Sequence, residues 1–278
     1  MPVKLNLGQA WDKATAILSA NRQVVLVVAG VFFFLPNLIA TFILPSQADF
    51  AMQMEALGPQ PDPEQLMDVM SAYFMGSWWV YVILGLVQAV GMLGLLALLT
   101  DTSRPTVGQA LAFGGKGVIP YFAAQILMSF AMLAAFFLPI MLGALIHPAL
   151  ALILGLAGFV ALIYLWVKFS LLGPAIAIDR IINPLTALGR SWQLTKGNSL
   201  RLFAFYLLLG IVIIVLSLVA SMVLSLFSVL GAEAGLIASA IGGALISMLL
   251  TTVMVGVMAA VHAQLSGKDA QNAAMTFG

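Results

Sequence analysis

Two histidines and no cysteine bound the chemistry this chain can carry. Without thiolates there is no disulfide, no Cys-ligated zinc or iron–sulfur site and no thiol nucleophile. His147 and His262 are expected at opposite faces of a membrane, His262 at the interface near the end of the last apolar run, so they cannot share a metal or a proton relay. No nucleophile–base pair, glycine-rich phosphate loop or metal-ligand spacing stands in the sequence. The expectation is a protein that is not an enzyme and needs no cofactor. The remaining chemistry belongs to cations. Arg104, Lys116, Arg180, Arg190, Lys196 and Arg201 could form a basic collar for anionic lipid phosphates, each contributing about 1 kcal/mol at a membrane surface. The plainer alternative is that they only set topology. Asp179-Arg180, just past Gly173-Pro174, reads as a hinge that grips phosphate or pairs with Lys168, or as a loop ion pair of little energetic weight.

The elements that must position these groups are unlike those of a soluble domain. The chain is 63% hydrophobic and 8% charged, against about 45–50% and about 25% for a soluble domain. Apolar runs predict spans over about 23–44, 78–99, 118–142, 149–168, 202–230 and 236–262. Each is long enough to cross about 30 Å of hydrocarbon at about 1.5 Å per residue. Numbering the connecting segments alternately puts all eleven Lys and Arg on the side that holds both termini. The other side holds Asp49, Glu55, Asp62, Glu64, Asp68 and Glu233 and no cation. Basic loops stay cytoplasmic, so both termini are expected inside, in a bacterial inner membrane. No basic stripe is dense enough for nucleic acid. Pro36-Asn37 interrupts the first span. The large external segment, about 45–77, reads as an amphipathic helical hairpin broken by Pro59-Gln-Pro-Asp-Pro63.

A weak repeat precedes each odd-numbered span: Leu7-Gly-Gln-Ala-Trp11, Val107-Gly-Gln-Ala-Leu111 and Leu185-Thr-Ala-Leu188. Copies one and three also align Lys13 with Arg190 and Asn21 with Asn198. The expected fold is thus an all-α integral membrane protein, one domain over 1–278. It is a six-transmembrane-helix bundle of three parallel-repeat hairpins, each preceded by a cytoplasmic amphipathic interfacial helix. The first such helix is expected over about 6–20, with Leu7, Trp11, Ala14 and Leu18 as its apolar stripe. Another is expected over about 184–196, with Leu185, Leu188 and Trp192 as its stripe. Asn183 is a good N-cap, Pro184 suits the first turn, and Gly197 suits the left-handed C-cap. Gln88, Gln125 and Ser129 at depth should bond across helices, and Gly91 with Gly94 and Gly155 with Gly158 should mark close contacts.

Pro174-Ala-Ile-Ala-Ile178, then an acidic residue, then Ala187-Leu-Gly-Arg-Ser-Trp-Gln-Leu-Thr-Lys-Gly-Asn198 ahead of a long apolar run, resembles the signature of the glycerophosphoryl diester phosphodiesterase membrane-domain family. The resemblance implies that this stretch joins spans four and five and that Pro174, Asp179, Ala187, Arg190, Ser191, Trp192, Leu194, Thr195, Gly197 and Asn198 are its motif residues. Asp179 stands where the family pattern would have Glu, and Gly189 where it often has a basic residue. Some relatives carry a soluble phosphodiesterase barrel, which needs about 250 further residues; none is expected here. The resemblance implies binding, transport or organisation of lipids or lipid headgroup fragments, with the bilayer, anionic headgroups and a protein partner or second copy as partners. A scaffold for a separate phosphodiesterase or transporter is one alternative. A membrane-embedded enzyme on phospholipid-derived esters is another, and it would need carboxylates and histidines that this sequence scatters.

Overall fold

The computed structural model describes residues 4–44, 47–59, 61–100 and 106–267, and these residues form helices without a strand. Arg104, Lys268 and the polar tail beyond it lie outside the described residues. Six helical segments are long and apolar enough to cross a membrane, as a polytopic membrane protein requires.

The first, Arg22–Ile43, comprises α2 (Arg22–Ala29), a π turn (Gly30–Phe34) and α3 (Leu35–Ile43). Pro36 has no N–H and its ring would press on the carbonyl one turn earlier. A wider turn relieves that clash, and the Asn37 side chain donates to Phe33 O at 2.6 Å. The interruption expected at Pro36-Asn37 is therefore a π turn with its own side-chain patch.

Spans two and three are longer than their apolar runs. Between α4 (Gln47–Ala56) and Thr100 lies one unbroken helix, α5 (Pro63–Thr100). Nothing between Glu64 and Thr100 removes a backbone donor, so the stretch before Trp78 and the apolar run after it share one axis. The α4 helix packs on its outer end, with the Phe50 and Tyr73 ring centroids 4.6 Å apart. The α6 helix (Val107–Ala144) opens on a capping box of Thr106 and Gln109 and runs through Gly114-Gly115 and Pro120. The helix expected to precede span three is thus its first turns. A separate helix does precede spans one and five: α1 (Leu7–Ala20) and α9 (Pro184–Leu194).

Span four is α7 (Pro148–Phe169), capped by His147, continued after a short break by α8 (Leu172–Ala177). Span five is α10 (Ser199–Ser225), ending in a 3₁₀ turn to Leu230, and span six is α11 (Ala232–Leu265).

Packing is concentrated at one end of the bundle. One core joins Val28 and Phe33 of span one, Leu93 and Leu96 of span two, Ile176 of α8 and Val255 and Ala259 of span six. A second joins Ala10 and Ala14 of α1, Val167 and Leu171, Leu202 and Phe205, and Val257 and Val261. All come from the ends of the spans nearest the two termini. In lipid there is little hydrophobic drive between helices, so small residues must let backbones meet. Gly94 and Gly114 do this between α5 and α6, Gly158 between α6 and α7, and Gly256 beneath Leu18 of α1. Spans two and six are central, 39% and 44% buried over their most apolar stretches; spans three and five, 6% each, are peripheral.

The α1 helix buries Ala10 and Ala14 and leaves Trp11 exposed; α9 buries Ala187, Ser191 and Leu194 and leaves Leu185 exposed. The small-residue face of each helix meets protein, and the stripe read from the sequence points partly outward.

Candidate functional site

The segment between spans four and five is organised around one backbone carbonyl and one carboxylate. Asn183 Oδ1 accepts from Thr186 N at 3.1 Å and starts α9, with Pro184 in its first turn. This directs Ser191 and Thr195 at the last turn of α7, where carbonyls lack helical donors. Ser191 Oγ donates to Lys168 O at 2.8 Å, and Thr195 Oγ1 approaches the same oxygen at 3.4 Å. Trp192 covers the joint, its ring centroid 5.8 Å from Tyr164 and 5.7 Å from Phe169. Gly197, at φ +80°, turns the chain into α10. Asn198 Oδ1 then accepts from Leu5 N at 2.9 Å, and Arg201 Nη1 donates to Leu5 O at 3.3 Å, so this segment also holds the N-terminal strap. Pro174 O accepts from Ile178 N at 2.8 Å just before the carboxylate.

That carboxylate, Asp179, takes Arg190 Nε at 2.8 Å and His262 Nε2 at 3.1 Å. It pairs with Arg190 and His262 rather than with Lys168, and His262 is fully buried within the protein. A carboxylate and a histidine that looked scattered thus converge across 83 positions. Burial by itself would push the Asp179 carboxyl up. Hydrogen bonds from His262 and Arg190, together with their charges, outweigh it and hold the group well below its ordinary value. A carboxylate only accepts, so His262 Nε2 donates to Asp179, and among the described residues the buried His262 Nδ1 has no partner. The cluster clamps the end of span four, α9 and span six together.

Of the expected collar, Arg104 lies outside the described residues and the other five cations have separate surroundings. Arg190 is committed to Asp179 and Arg201 to the N-terminal backbone. Arg180, at φ 57°, lays its guanidinium 4.5 Å over the Phe113 ring. Lys116 and Lys196 are exposed. Lys168 has its stem buried, with its ammonium 5.4 Å from the Tyr164 ring centroid and 5.1 Å from that of Trp192.

Behind this joint the spans separate. Cavities of about 360 and 470 Å³, open on one side rather than enclosed, lie along α10, one toward α6 and α7, the other toward α5 and α11. A third of about 180 Å³ reaches Tyr121 and Gln125. Trp166 and Tyr206, ring centroids 5.4 Å apart, line all three. The Tyr206 hydroxyl is buried and, among the described residues, completes no hydrogen bond; Ser170 Oγ, which donates to Val167 O at 2.8 Å, keeps its lone pairs free to accept. Gln125, expected to bond across helices, donates instead to Tyr121 OH at 3.0 Å one turn away on its own helix. The chamber is apolar with a few hydroxyl and amide groups at one corner.

No protein-family model, curated protein or solved structure matches this chain. The site is therefore judged on its own chemistry. Asp179 accepts from two donors and lines none of the three cavities described, an arrangement that suits a structural clamp. Among the described residues no three His, Asp or Glu converge as metal ligands. The chamber can hold an apolar chain. Trp166 and Tyr206 were not singled out by the sequence, because aromatic residues within a hydrophobic run look the same whether they fill a core or line a space.

Proposed function

We propose that this chain is a non-enzymatic polytopic protein of the bacterial inner membrane, of the glycerophosphoryl diester phosphodiesterase membrane-domain type, that binds or organises lipids through their chains. The observation carrying this reading is the chamber at Trp166 and Tyr206. Its larger cavities fall within the about 300–1,000 Å³ typical of ligand pockets. Its apolar lining favours an acyl chain over a free, charged headgroup fragment. Gly210 lines both larger cavities, and a Cβ there would meet nothing within 4 Å. Gly210→Leu therefore fills the chamber while gaining about 1 kcal/mol of helix propensity. Native mass spectrometry of the purified variant should show fewer retained lipids per chain at a melting temperature no lower than that of the wild type. Equal lipid retention would overturn the reading.

The orientation proposed with it places both termini in the cytoplasm. Because the chain has no cysteine, single replacements report it directly. In intact cells, Asp62→Cys should react with a membrane-impermeant maleimide added outside and Lys196→Cys should not. The reverse pattern would invert the topology. A second reading is a scaffold for another membrane protein. The exposed apolar faces of spans three and five favour it, and it predicts a stoichiometric partner on mild solubilisation.

A further inference from the structure

We propose that Lys168 and Lys196 form a binding site for the phosphate of an anionic phospholipid, whose chains lie along Tyr164, Val160, Leu156 and Ile153 on the outer face of α7. Lys168 is 3% exposed as a residue, yet among the described residues its ammonium makes no hydrogen bond or ion pair. Aromatic faces on Tyr164 and Trp192 hold it in place. The hydrogen bonds from Ser191 and Thr195 to Lys168 O fix α9 against α7, which carries Lys196 to the same corner. Thr195 Oγ1 stands 3.4 Å from Lys168 O, so the next residue, the exposed Lys196, leaves the chain beside the end of α7.

Among the described residues no carboxylate pairs with either lysine; Asp179, the acid nearest in the motif, is taken up by Arg190 and His262. Helix C-terminal dipoles favour each lysine separately, and a phosphate at this corner would answer both charges at once. The strip below is built for lipid: Tyr164, Val160, Leu156 and Ile153 share one face of α7 and are 46–66% exposed. Free phosphate would make no use of that strip.

The site deepens the lipid-binding reading but rests on different residues. Lys168 and Trp166 are about 200° apart around the helix, so the phosphate site and the chamber lie on different faces of α7.

The test uses the full chain in vesicles containing spin-labelled phosphatidylglycerol or phosphatidylcholine, with the motionally restricted lipid measured by electron spin resonance. The wild type should prefer phosphatidylglycerol by at least about threefold. Lys168→Gln with Lys196→Gln should bring that ratio close to one. The paired Arg variant, which keeps the charge, should preserve it, and this arm remains decisive if the Gln variant folds poorly. Lys116→Gln should leave it unchanged. Preference retained in the double Gln variant, or lost equally in Lys116→Gln, would overturn the site. Displacement of the labelled lipid by millimolar inorganic phosphate would assign the lysines to the free anion and overturn the lipid assignment. Gly210→Leu separates the two ideas: it should reduce total bound lipid and leave the headgroup ratio alone.

Discussion

Asp179→Asn should lower the melting temperature of the detergent-solubilised protein and remove part of its acid sensitivity. The substitution keeps size and one acceptor but deletes the charge that both Arg190 and His262 address at 2.8 and 3.1 Å. Breaking a fully buried pair costs about 3–5 kcal/mol. Arg190 is 33% exposed, so solvent screens part of that, and a loss of about 2–3 kcal/mol is expected. The pH dependence supplies an internal control. The folded-state value for Asp179 lies below its ordinary 3.8. Its stabilisation is therefore complete above that pH and is lost as pH falls below it. Wild type and Asp179→Asn should differ most near neutrality, and the gap should close in acid. A gap independent of pH would show that the carboxylate's charge is not what holds the joint.

Gly114→Leu should be the most damaging single change at the α5–α6 crossing. A Cβ at this position would stand 2.6 Å from Val90 O and 2.9 Å from Gly94 N. Both are backbone atoms, so no rotamer change relieves the overlap and the two helices must separate. Overpacking usually costs about 1–3 kcal/mol, and backbone clashes fall at or beyond the top of that range. The neighbour provides the comparison: a Cβ on Gly115 meets nothing within 4 Å. Gly115→Leu should fold and melt like the wild type, while Gly114→Leu should yield little folded protein in a detergent size-exclusion profile. Similar behaviour of the two would mean that α5 and α6 do not cross where described.

The motif residues illustrate how local and distant information divide. Asn183, Pro184 and Gly197 act on the backbone within a few residues, so a cap and a left-handed turn could be read directly. Ser191, Thr195 and Asn198 act on Lys168 and Leu5, 23 to 193 positions away, and nothing in their spacing names those partners. Arg190 and Arg201 looked like free cations for the same reason. The fusion of outer and membrane segments in α5, and of the second repeat copy with span three in α6, also escaped the pattern. Composition changes at the membrane boundary, but a helix continues until a donor is missing or a cap intervenes.

From its residues alone the chain specified six helices long and apolar enough to cross a membrane and the start of α9 at Asn183-Pro184. These depend on transfer out of water and on hydrogen bonds between near neighbours, which are written in consecutive residues. The Asp179–Arg190–His262 clamp, the docking of Ser191 and Thr195 on Lys168 O and the chamber at Trp166 and Tyr206 came only from the tertiary structure. They depend on how helices remote in sequence approach one another, and that distance is set by which small residues meet at each crossing.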